Sequence, residues 1–387
     1  MKFISYATNK HDLSLLKECS YSEVILSFED LNRLIKTSYD DFIELCQMAK
    51  TFQMRVILEW DVLATENDFA PKKSLFDSIP AELYDAIRVQ DPGVLEYVLG
   101  TTDKPIQFIA ETGNHNLKGL KVWEEYIGHR LERLVLSIEL NKDKIKEYTC
   151  ALKTPTELLV AGRVLLFYSP RKLLSPLALS EAKAEYGGSF LEAVGSSEES
   201  PHKGFPLVEN QHGTFMFHIK DLFLLDRYEQ LEQTGLDWLR IDLRDRQDLS
   251  FLKTLHEFLA KPSFHSDDLK EAYGKEVIRG YFQTNKSDVL FKKLKNYRVQ
   301  RKDEAYIGEV VEIAKPEYMA LELKSHLHLK KDSQLKIINP NGKEFFCKVH
   351  FLKDLAFDDL PKTHKGQLVL MNYMGGVWPK SQVYLDS

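Results

Sequence analysis

Residues 23–60 decide the fold class, and they read EVILSFEDLNRLIKTSYDDFIELCQMAKTFQMRVILEW. Two short apolar and β-branched runs, Glu23–Phe28 and Arg55–Trp60, enclose a segment with helical periodicity. The apolar side chains of the helical segment Asp40–Lys50 fall on one stripe, namely Phe42, Leu45, Cys46 and Ala49. The stretch therefore predicts a strand, an amphipathic helix and a second strand.

The same alternation continues through the first 250 residues. The candidate strands are Phe3–Ala7, Glu23–Phe28, Arg55–Trp60, Ala86–Val89, Ile106–Ala110, Leu134–Ile138, Glu157–Leu166 and Trp238–Leu243. Strands that alternate with helices pair in parallel, and eight such units in about 250 residues are typical of a (β/α)8, TIM-like barrel. We predict this α/β barrel over residues 1–285. A doubly wound open sheet is the alternative, although no GxGxxG or P-loop motif supports a nucleotide-binding version.

Three further segments complete the predicted organisation. Ser175–Phe217 is rich in glycine and serine, and we expect a long irregular insertion that lies over the mouth of the barrel. Residues 286–303 form a basic linker. Residues 304–387 predict a small antiparallel β-barrel, with a hairpin turn at Asn339–Gly342. Its expected strands are Tyr306–Ile313, Tyr318–Leu323, Gln334–Ile338, Glu344–Phe351 and Gln367–Met371.

Composition excludes several classes of protein. The chain is 43% hydrophobic and 28% charged, which is ordinary for a globular protein. It has only four cysteines and no CxxC pair, so a disulfide scaffold or a zinc ribbon is not expected. No run of about 18 apolar residues occurs, so we expect no membrane span. With no secretory signal pattern at the N-terminus, we expect a cytoplasmic protein.

Charge is distributed unevenly along the chain. Residues 286–387 hold 18 Lys and Arg against 13 Asp and Glu, whereas residues 1–285 hold 34 against 45. The most basic stretch, Lys292–Lys302, includes Lys292, Lys293, Lys295 and Arg298. Together with the C-terminal domain, these four residues are candidates for binding an RNA backbone. A solvated basic linker with no ligand remains the alternative.

Several motifs in a fixed order resemble the U32 peptidase (collagenase-like) family over nearly the whole chain. The matching segments are Ala86–Leu95 (AIRVQDPGVL), Gly162–Arg163, Tyr168–Ser175 (YSPRKLLS), Lys220–Leu222 (KDL), Thr234–Arg244 (TGLDWLRIDLR) and Ile278–Phe282 (IRGYF). The resemblance implies a barrel core, and some members append a small β-barrel. Members are labelled peptidases, but several branches support hydroxylation of RNA bases or of a quinone precursor, with a four-cysteine iron–sulfur cluster.

This sequence departs from the cluster pattern of the family it resembles. The cysteine of the YSxRCLLS motif falls on Lys172, and the preceding one falls near Leu165. The other two fall in the Gly187–Gly195 segment and near Ile219, where no cysteine stands. A cluster normally needs four thiolates in one place. We therefore expect no iron–sulfur cluster, and we predict neither a cofactor nor a metal.

Residues at the carboxyl ends of barrel strands converge at the mouth, where such enzymes carry out their chemistry. The catalytic candidates are four carboxylates that crowding could turn into acids or bases: Glu59, Glu111, Glu139 and Asp242. The substrate-binding candidates are Gln90, Asn116, Arg163, Tyr168, Arg171 and Arg244, whose arginines suit carboxylate or phosphate. The same residues could instead form a structural ion-pair network.

Local departures from the family pattern suggest a remodelled site. Glu111 stands where the family usually has glutamine, and Ile138 stands where an arginine usually precedes the glutamate matched by Glu139. Neither HExxH nor GxSxG occurs, so the sequence offers no metal or nucleophile motif of known peptidase classes. His115, in the loop after the fifth strand, is the histidine best placed for proton transfer.

Two functional hypotheses follow. In the first, the chain is a U32-type enzyme, either a hydrolase or a cluster-free relative of the hydroxylation proteins, and it binds a small anionic ligand, a peptide or RNA at the barrel mouth. In the second, it is a non-catalytic module that binds RNA or a partner protein. Neither involves a membrane.

Overall fold

The computed structural model of the protein describes residues 1–111, 116–178, 190–196, 203–246, 249–260, 266–283 and 305–386. The chain divides into two units, Met1–Lys286 and Ser287–Ser387. The strands of the first unit are β1 (Lys2–Tyr6), β2 (Glu23–Leu26), β3 (Arg55–Trp60), β4 (Ala86–Val89), β5 (Ile106–Ile109), β6 (Leu131–Val135), β7 (Thr156–Gly162), β8 (Leu165–Ser169), β9 (Leu191–Ser196), β10 (Lys203–Asn210), β11 (Gly213–Phe217), β12 (Asp221–Phe223), β13 (Trp238–Asp242) and β14 (Val277–Ile278). Its helices are α1 (Lys10–Glu18), α2 (Tyr39–Thr51), α3 (Glu66–Asp77), α4 (Pro92–Thr101), α5 (Leu117–Ile127), α6 (Lys142–Ala151), α7 (Ser175–Ala178), α8 (Tyr228–Glu232), α9 (Phe251–Ala260) and α10 (Ser266–Tyr273).

Eight parallel strands close into a barrel. Strands β1 to β7 pair in sequence order, and β13 pairs with both β1 and β7, which closes the ring. Helices fill most of the connections, as parallel pairing requires. The predicted (β/α)8 barrel is confirmed, and the open-sheet alternative is wrong. Each of the eight predicted runs overlaps one barrel strand.

Helix α2 shows why the opening stretch folds as predicted. The Ser38 hydroxyl accepts a hydrogen bond from the Asp41 backbone N–H at 3.1 Å and so caps the first turn. The predicted stripe of Phe42, Leu45, Cys46 and Ala49 is buried against the barrel. Burying a side chain as large as phenylalanine or leucine contributes about 1.5–3 kcal/mol, so this stripe holds the helix against β2 and β3.

The barrel interior is ionic around Glu157, which lies on β7. The Glu157 carboxylate accepts hydrogen bonds from Arg88 Nη1 at 2.9 Å and from Arg133 Nη1 at 3.1 Å, and Arg240 Nη1 lies 3.6 Å away. Arg88 and Glu157 have no solvent exposure. Burial alone would raise the pKa of Glu157, but the three arginines together lower that pKa to about 2. The carboxylate is therefore held ionised inside the barrel.

The predicted irregular insertion contains a sheet, which corrects the expectation of a loop. Strands β8 to β11 form a four-stranded antiparallel sheet in the order β8-β11-β10-β9, called the insertion sheet below. The sheet begins at Leu165, ten residues before the predicted start of the insertion, Ser175. The predicted seventh run, Glu157–Leu166, is thus divided between a barrel strand and this sheet. Residues 179–189 and 197–202 of the insertion lie outside the described residues.

The insertion sheet is attached over the carboxyl ends of the barrel strands. The Asn210 amide donates a hydrogen bond to the Arg33 carbonyl oxygen at 2.7 Å. The Glu29 carbonyl oxygen accepts from the Gln211 amide at 2.9 Å and lies 2.6 Å from His212 Nε2. The turn between β10 and β11 is therefore hydrogen-bonded to the loop that follows β2, at the mouth of the barrel.

The second unit is an antiparallel half-barrel with its own apolar core. Its strands are β15 (Tyr306–Ala314), β16 (Tyr318–Leu323), β17 (Gln334–Ile338), β18 (Glu344–Lys348), β19 (Leu352–Lys353), β20 (Leu368–Asn372) and β21 (Gln382–Leu385), in the sheet order β18-β17-β21-β15-β16-β20-β19. The predicted turn joins β17 to β18, where Gly342 has a φ of 82° and Asn339 Oδ1 accepts the Lys343 backbone N–H at 3.0 Å. The sequence missed β19 and β21, which are short.

Among the helices of the described ranges, none combines the length and the apolar character that crossing a lipid bilayer requires.

Candidate functional site

One cleft of about 1390 Å³ opens between the barrel mouth and the insertion sheet. Most of the site residues predicted from the sequence line it: Glu59, Gln90, Glu111, Glu139, Arg163, Tyr168, Asp242 and Arg244. The strand ends form its floor, and β8, β9, β10 and the end of β11 form one wall. The convergence of strand ends therefore brings the predicted carboxylates and arginines into one place.

Glu59 lies buried in the floor, at the end of β3. Its carboxylate accepts hydrogen bonds from the Tyr6 hydroxyl at 2.9 Å and from the Asn32 amide at 2.6 Å. Arg244 Nη1 is 3.8 Å away. Burial and the nearby Asp61 carboxylate raise the pKa of Glu59, and Arg244 opposes that rise. Burial thus biases Glu59 toward its protonated form, whereas Arg244 favours its ionised form.

Asp242 and Arg244 form a two-point ion pair beside Glu59. Arg244 donates through Nε to Asp242 Oδ1 at 2.9 Å and through Nη2 to Oδ2 at 2.6 Å. Its guanidinium also lies 3.7 Å from the centre of the Tyr6 ring. Burial would raise the pKa of Asp242, but Arg244 overcomes that effect and lowers it. Asp242 thus stays ionised where Glu59 is biased toward protonation.

Two further pairs complete the floor. Arg33 Nε donates to Asp61 at 3.0 Å, and Arg33 Nη2 donates to Gln90 at 3.0 Å. Arg240 donates to Glu111, which stands where the resembling family usually has glutamine. The ion-pair alternative from the sequence therefore describes much of the floor. The sequence missed Asn32 and Arg33, because they sit in the loop after β2 and no periodicity marks them.

The wall beside β7 and β8 is aromatic. Tyr168 stacks on Phe215 with ring centres 4.8 Å apart and donates its hydroxyl to the His212 carbonyl at 2.9 Å. The Arg163 guanidinium lies 3.8 Å from the centre of the Phe217 ring. Gly162, at the break between β7 and β8, has a φ of 144°, and a Cβ there would be 2.5 Å from the Asp242 carbonyl oxygen. Glycine thus allows the wall and the floor to meet closely.

Two predicted residues do not line the cleft, and a third lines only its rim. Asn116 caps α5, where its side chain accepts the Gly119 backbone N–H at 2.8 Å, and it does not line the cleft. Arg171 is exposed on the insertion, also away from the cleft lining, and its carbonyl accepts from Thr214 at 2.8 Å. Glu139 lies exposed at the rim of the cleft.

Some predictions fall on parts of the chain that the structure does not describe. The four basic candidates Lys292, Lys293, Lys295 and Arg298 lie outside the described residues, and so does His115. Their predicted roles stay predictions.

The cysteines do not fit a four-thiolate cluster. Cys19 caps the end of α1, Cys46 lies on the buried face of α2, Cys150 is exposed on α6, and Cys347 lies on β18 in the second unit. Burial raises the pKa of the Cys46 thiol, which disfavours a metal-binding thiolate. At the family's cluster positions, Leu165 pairs with Phe217 in the insertion sheet and Lys172 is exposed. Within the described ranges, no group of three or more His, Cys, Asp or Glu side chains is arranged to hold a metal ion.

Comparison with known proteins identifies the family. The sequence profile of peptidase family U32 matches residues 22–260, more than half of the chain. The chain belongs to peptidase family U32. The family resemblance inferred from the motifs is thereby confirmed, and the missing cluster cysteines mark the chain as a divergent member.

Individual relatives are distant. The chain is 28% identical over 167 residues to the "tRNA hydroxylation protein P2" of Bacillus subtilis (strain 168), a match that covers 41% of this chain and 51% of that protein. The chain thus spans about half the length of the curated relative it matches. Among solved structures, the U32 peptidase Mk0906 is 11% identical with a TM-score of 0.36, over 42% of this chain and 70% of that one. The C-terminal domain of a U32 peptidase described as putative, from Geobacillus thermoleovorans, is 14% identical with a TM-score of 0.20, over 24% of this chain and 100% of that domain.

Proposed function

We propose that this U32 protein acts in RNA modification and holds a nucleotide of its RNA substrate in the cleft without an iron–sulfur cluster. The observation that carries the proposal is the cleft itself, with a charged floor under an aromatic wall. The matched relative named as a tRNA hydroxylation protein supports the same class of substrate.

The size and lining of the cleft suit a nucleotide. Its volume of about 1390 Å³ exceeds the roughly 300–1,000 Å³ of common ligand pockets. RNA bases that are turned out of a helix stack on aromatic rings and on guanidinium planes. Tyr168 and the Arg163–Phe217 pair supply surfaces of this kind on one wall. The polar floor provides donors and acceptors that could read the edge of a base.

Two carboxyl groups of the floor have pKa values that are shifted in opposite directions. The pKa of Glu59 is raised by burial and that of Asp242 is lowered mainly by Arg244, despite its burial. Environments that push two pKa values apart are how active sites assign an acid and a charged partner. In the proposal, Glu59 exchanges a proton with the substrate, Asp242 stays charged, and Tyr6 holds Glu59 in place.

The test is nucleoside analysis of total tRNA by mass spectrometry, in the source organism with the gene deleted. We expect a modified nucleoside to be lost and to return with the wild-type gene. Glu59→Gln, which keeps the shape but cannot exchange a proton, should not restore it. The matched control Glu147→Gln changes an exposed glutamate on α6 and should restore it fully.

Three results would count against the proposal. An unchanged set of nucleosides in the deletion strain would remove the RNA role. Full restoration by Glu59→Gln would remove the proton-transfer role. Cleavage of gelatin or of a peptide library by the purified chain, lost in Glu59→Gln, would support the hydrolase implied by the family label instead.

A second candidate is a non-catalytic RNA-binding module, and the excess of basic residues in 286–387 favours it. In this proposal the stretch Lys292–Lys302 binds RNA phosphates. Binding of labelled tRNA should then fall steeply with salt, and reversing the charges of Lys292, Lys293, Lys295 and Arg298 should flatten that dependence. If wild-type binding does not depend on salt, this candidate fails.

A further inference from the structure

The arginines of the cleft are not equivalent. Arg33, Arg240 and Arg244 each donate a hydrogen bond to a carboxylate of the floor. Arg163 differs from them: in the part of the chain that the structure describes, its nearest carboxylate oxygen is Asp245 Oδ2, at 3.9 Å. That distance is too long for a direct hydrogen bond.

Asp245 is itself engaged elsewhere. Lys275 Nζ lies 2.6 Å from the same Oδ2 atom. The carboxylate charge is therefore shared, and Arg163 keeps N–H donors for another acceptor. The Arg163 side chain is 25% exposed, and it lines the cleft. A guanidinium in this position can bind a ligand without first breaking a hydrogen bond to any side chain that the structure describes.

The orientation of Arg163 is fixed by packing. Its guanidinium stacks on Phe217, and the side chain follows Gly162, where the chain turns from β7 toward β8. The N–H groups of a guanidinium lie in its own plane, and stacking leaves their outer edge uncovered. They form a planar fork that suits two oxygens of a phosphate. The aromatic contact restricts the side chain before a ligand arrives, which reduces the entropy lost on binding.

His218 adds a second polar side chain to this wall. It follows Phe217 and also lines the cleft. His218 Nδ1 lies 2.9 Å from the Lys220 backbone nitrogen and 3.0 Å from the Lys220 carbonyl oxygen. The Lys220 backbone therefore engages Nδ1 in either tautomer, and the ligand contact in this inference falls to Nε2. The wall therefore offers a guanidinium fork and, beside it, an imidazole nitrogen.

We propose that Arg163, stacked on Phe217 and assisted by His218, is the phosphate-binding subsite of the cleft. This inference rests on the proposed function and names its ligand more closely: the phosphate belongs to a nucleotide, either within RNA or free. The paired arginines of the floor then hold the carboxylates in position, and Arg163 anchors the substrate through its phosphate.

The experiment measures binding of the four ribonucleoside 5′-monophosphates, the matching nucleosides and inorganic phosphate to the full chain by calorimetry. The wild type should bind at least one nucleotide roughly tenfold or more tightly than its nucleoside, since hydrogen bonds between charged groups are strong. Arg163→Ala should abolish that preference. Arg163→Lys, which keeps the charge but loses the planar fork, should restore part of it.

The matched control is Arg171→Ala, an exposed arginine on the insertion that does not line the cleft. It should leave the preference for nucleotides unchanged, and thermal denaturation should show all variants folded. A labelled RNA oligonucleotide that competes with the mononucleotide, and depends equally on Arg163, would identify RNA as the source of the phosphate. If only the mononucleotide depends on Arg163, the subsite serves free nucleotides.

Equal binding of nucleotide and nucleoside by the wild type would overturn the subsite, and so would a preference that survives in Arg163→Ala. These outcomes separate it from the proposed function. An Arg163-dependent preference with unchanged tRNA in the deletion strain keeps the subsite and removes the RNA-modification role. Altered tRNA in the deletion strain, with no preference for nucleotide over nucleoside, keeps the RNA-modification role and removes the subsite.

Discussion

Arginines of the barrel interior are paired with a buried carboxylate, whereas the arginine of the cleft wall lies against an aromatic ring. Around Glu157 the three arginines Arg88, Arg133 and Arg240 surround one buried carboxylate. On the cleft wall, Arg163 rests on an aromatic ring and has no carboxylate within 3.5 Å among the described residues. A buried charge must be neutralised to be tolerated, whereas a partly exposed charge can remain available to a ligand. The comparison separates arginines that stabilise the scaffold from one that is available for binding.

Removing the central carboxylate should have the largest effect. Glu157→Gln leaves Arg88, Arg133 and Arg240 without their shared counter-charge inside the barrel. We expect a loss of roughly 3–5 kcal/mol in the free energy of unfolding, measured by urea denaturation, because breaking a buried ion pair leaves uncompensated charge. The control Glu147→Gln breaks an exposed pair with Lys144 and should cost about 0.5 kcal/mol or less. Equal losses in both variants would contradict the scaffold role of the interior.

The same carboxylate predicts a dependence of stability on pH. The pKa of Glu157 is about 2 in the folded chain, below its ordinary value of about 4.3 when unfolded. Its stabilisation is therefore fully present above about pH 4.3 and is lost as the pH falls toward 2, by roughly 3 kcal/mol in total. Denaturation curves between about pH 5 and 3 should show wild type losing stability faster than Glu157→Gln. Parallel pH profiles of the two proteins would refute this assignment.

The smallest effect should come from a residue that the sequence assigned to substrate binding. Asn116→Ala removes the cap of α5 and should cost about 1 kcal/mol of stability. Asn141→Ala removes the equivalent cap of α6 and is the matched control. Since Asn116 does not line the cleft, both variants should bind nucleotides like wild type. If Asn116→Ala alone lost nucleotide binding, Asn116 would have to contribute to substrate binding, as the sequence predicted.

Hydrophobic periodicity was enough to predict the barrel. The runs at β1 to β7 and β13 are buried by helices on their outer side, so their apolar residues dominate the sequence pattern. The insertion sheet gave no such signal. Its β9 is mostly exposed and reads LEAVGS, with alternation too weak to separate it from a loop.

The site was predictable in part for the same physical reason. Strand ends converge at the mouth of any such barrel, so Glu59, Asp242 and Arg244 could be expected there together. The residues that bind to these side chains could not be predicted. Asn32 is placed by the fold of a loop, and the ionic interior around Glu157 is hidden within strands that read as apolar. Arg163 and Arg171 looked alike in sequence, and only burial and neighbours separate them.

The two ends of the insertion sheet lie side by side. The His218 backbone N–H donates to the Val164 carbonyl at 2.9 Å, and Leu165 pairs with Phe217. The chain thus leaves the barrel and returns to it at one point, the arrangement in which inserted domains are best tolerated. The segment between those ends can therefore be exchanged as one unit. Evolution could replace it to admit a different substrate while every barrel strand kept its register.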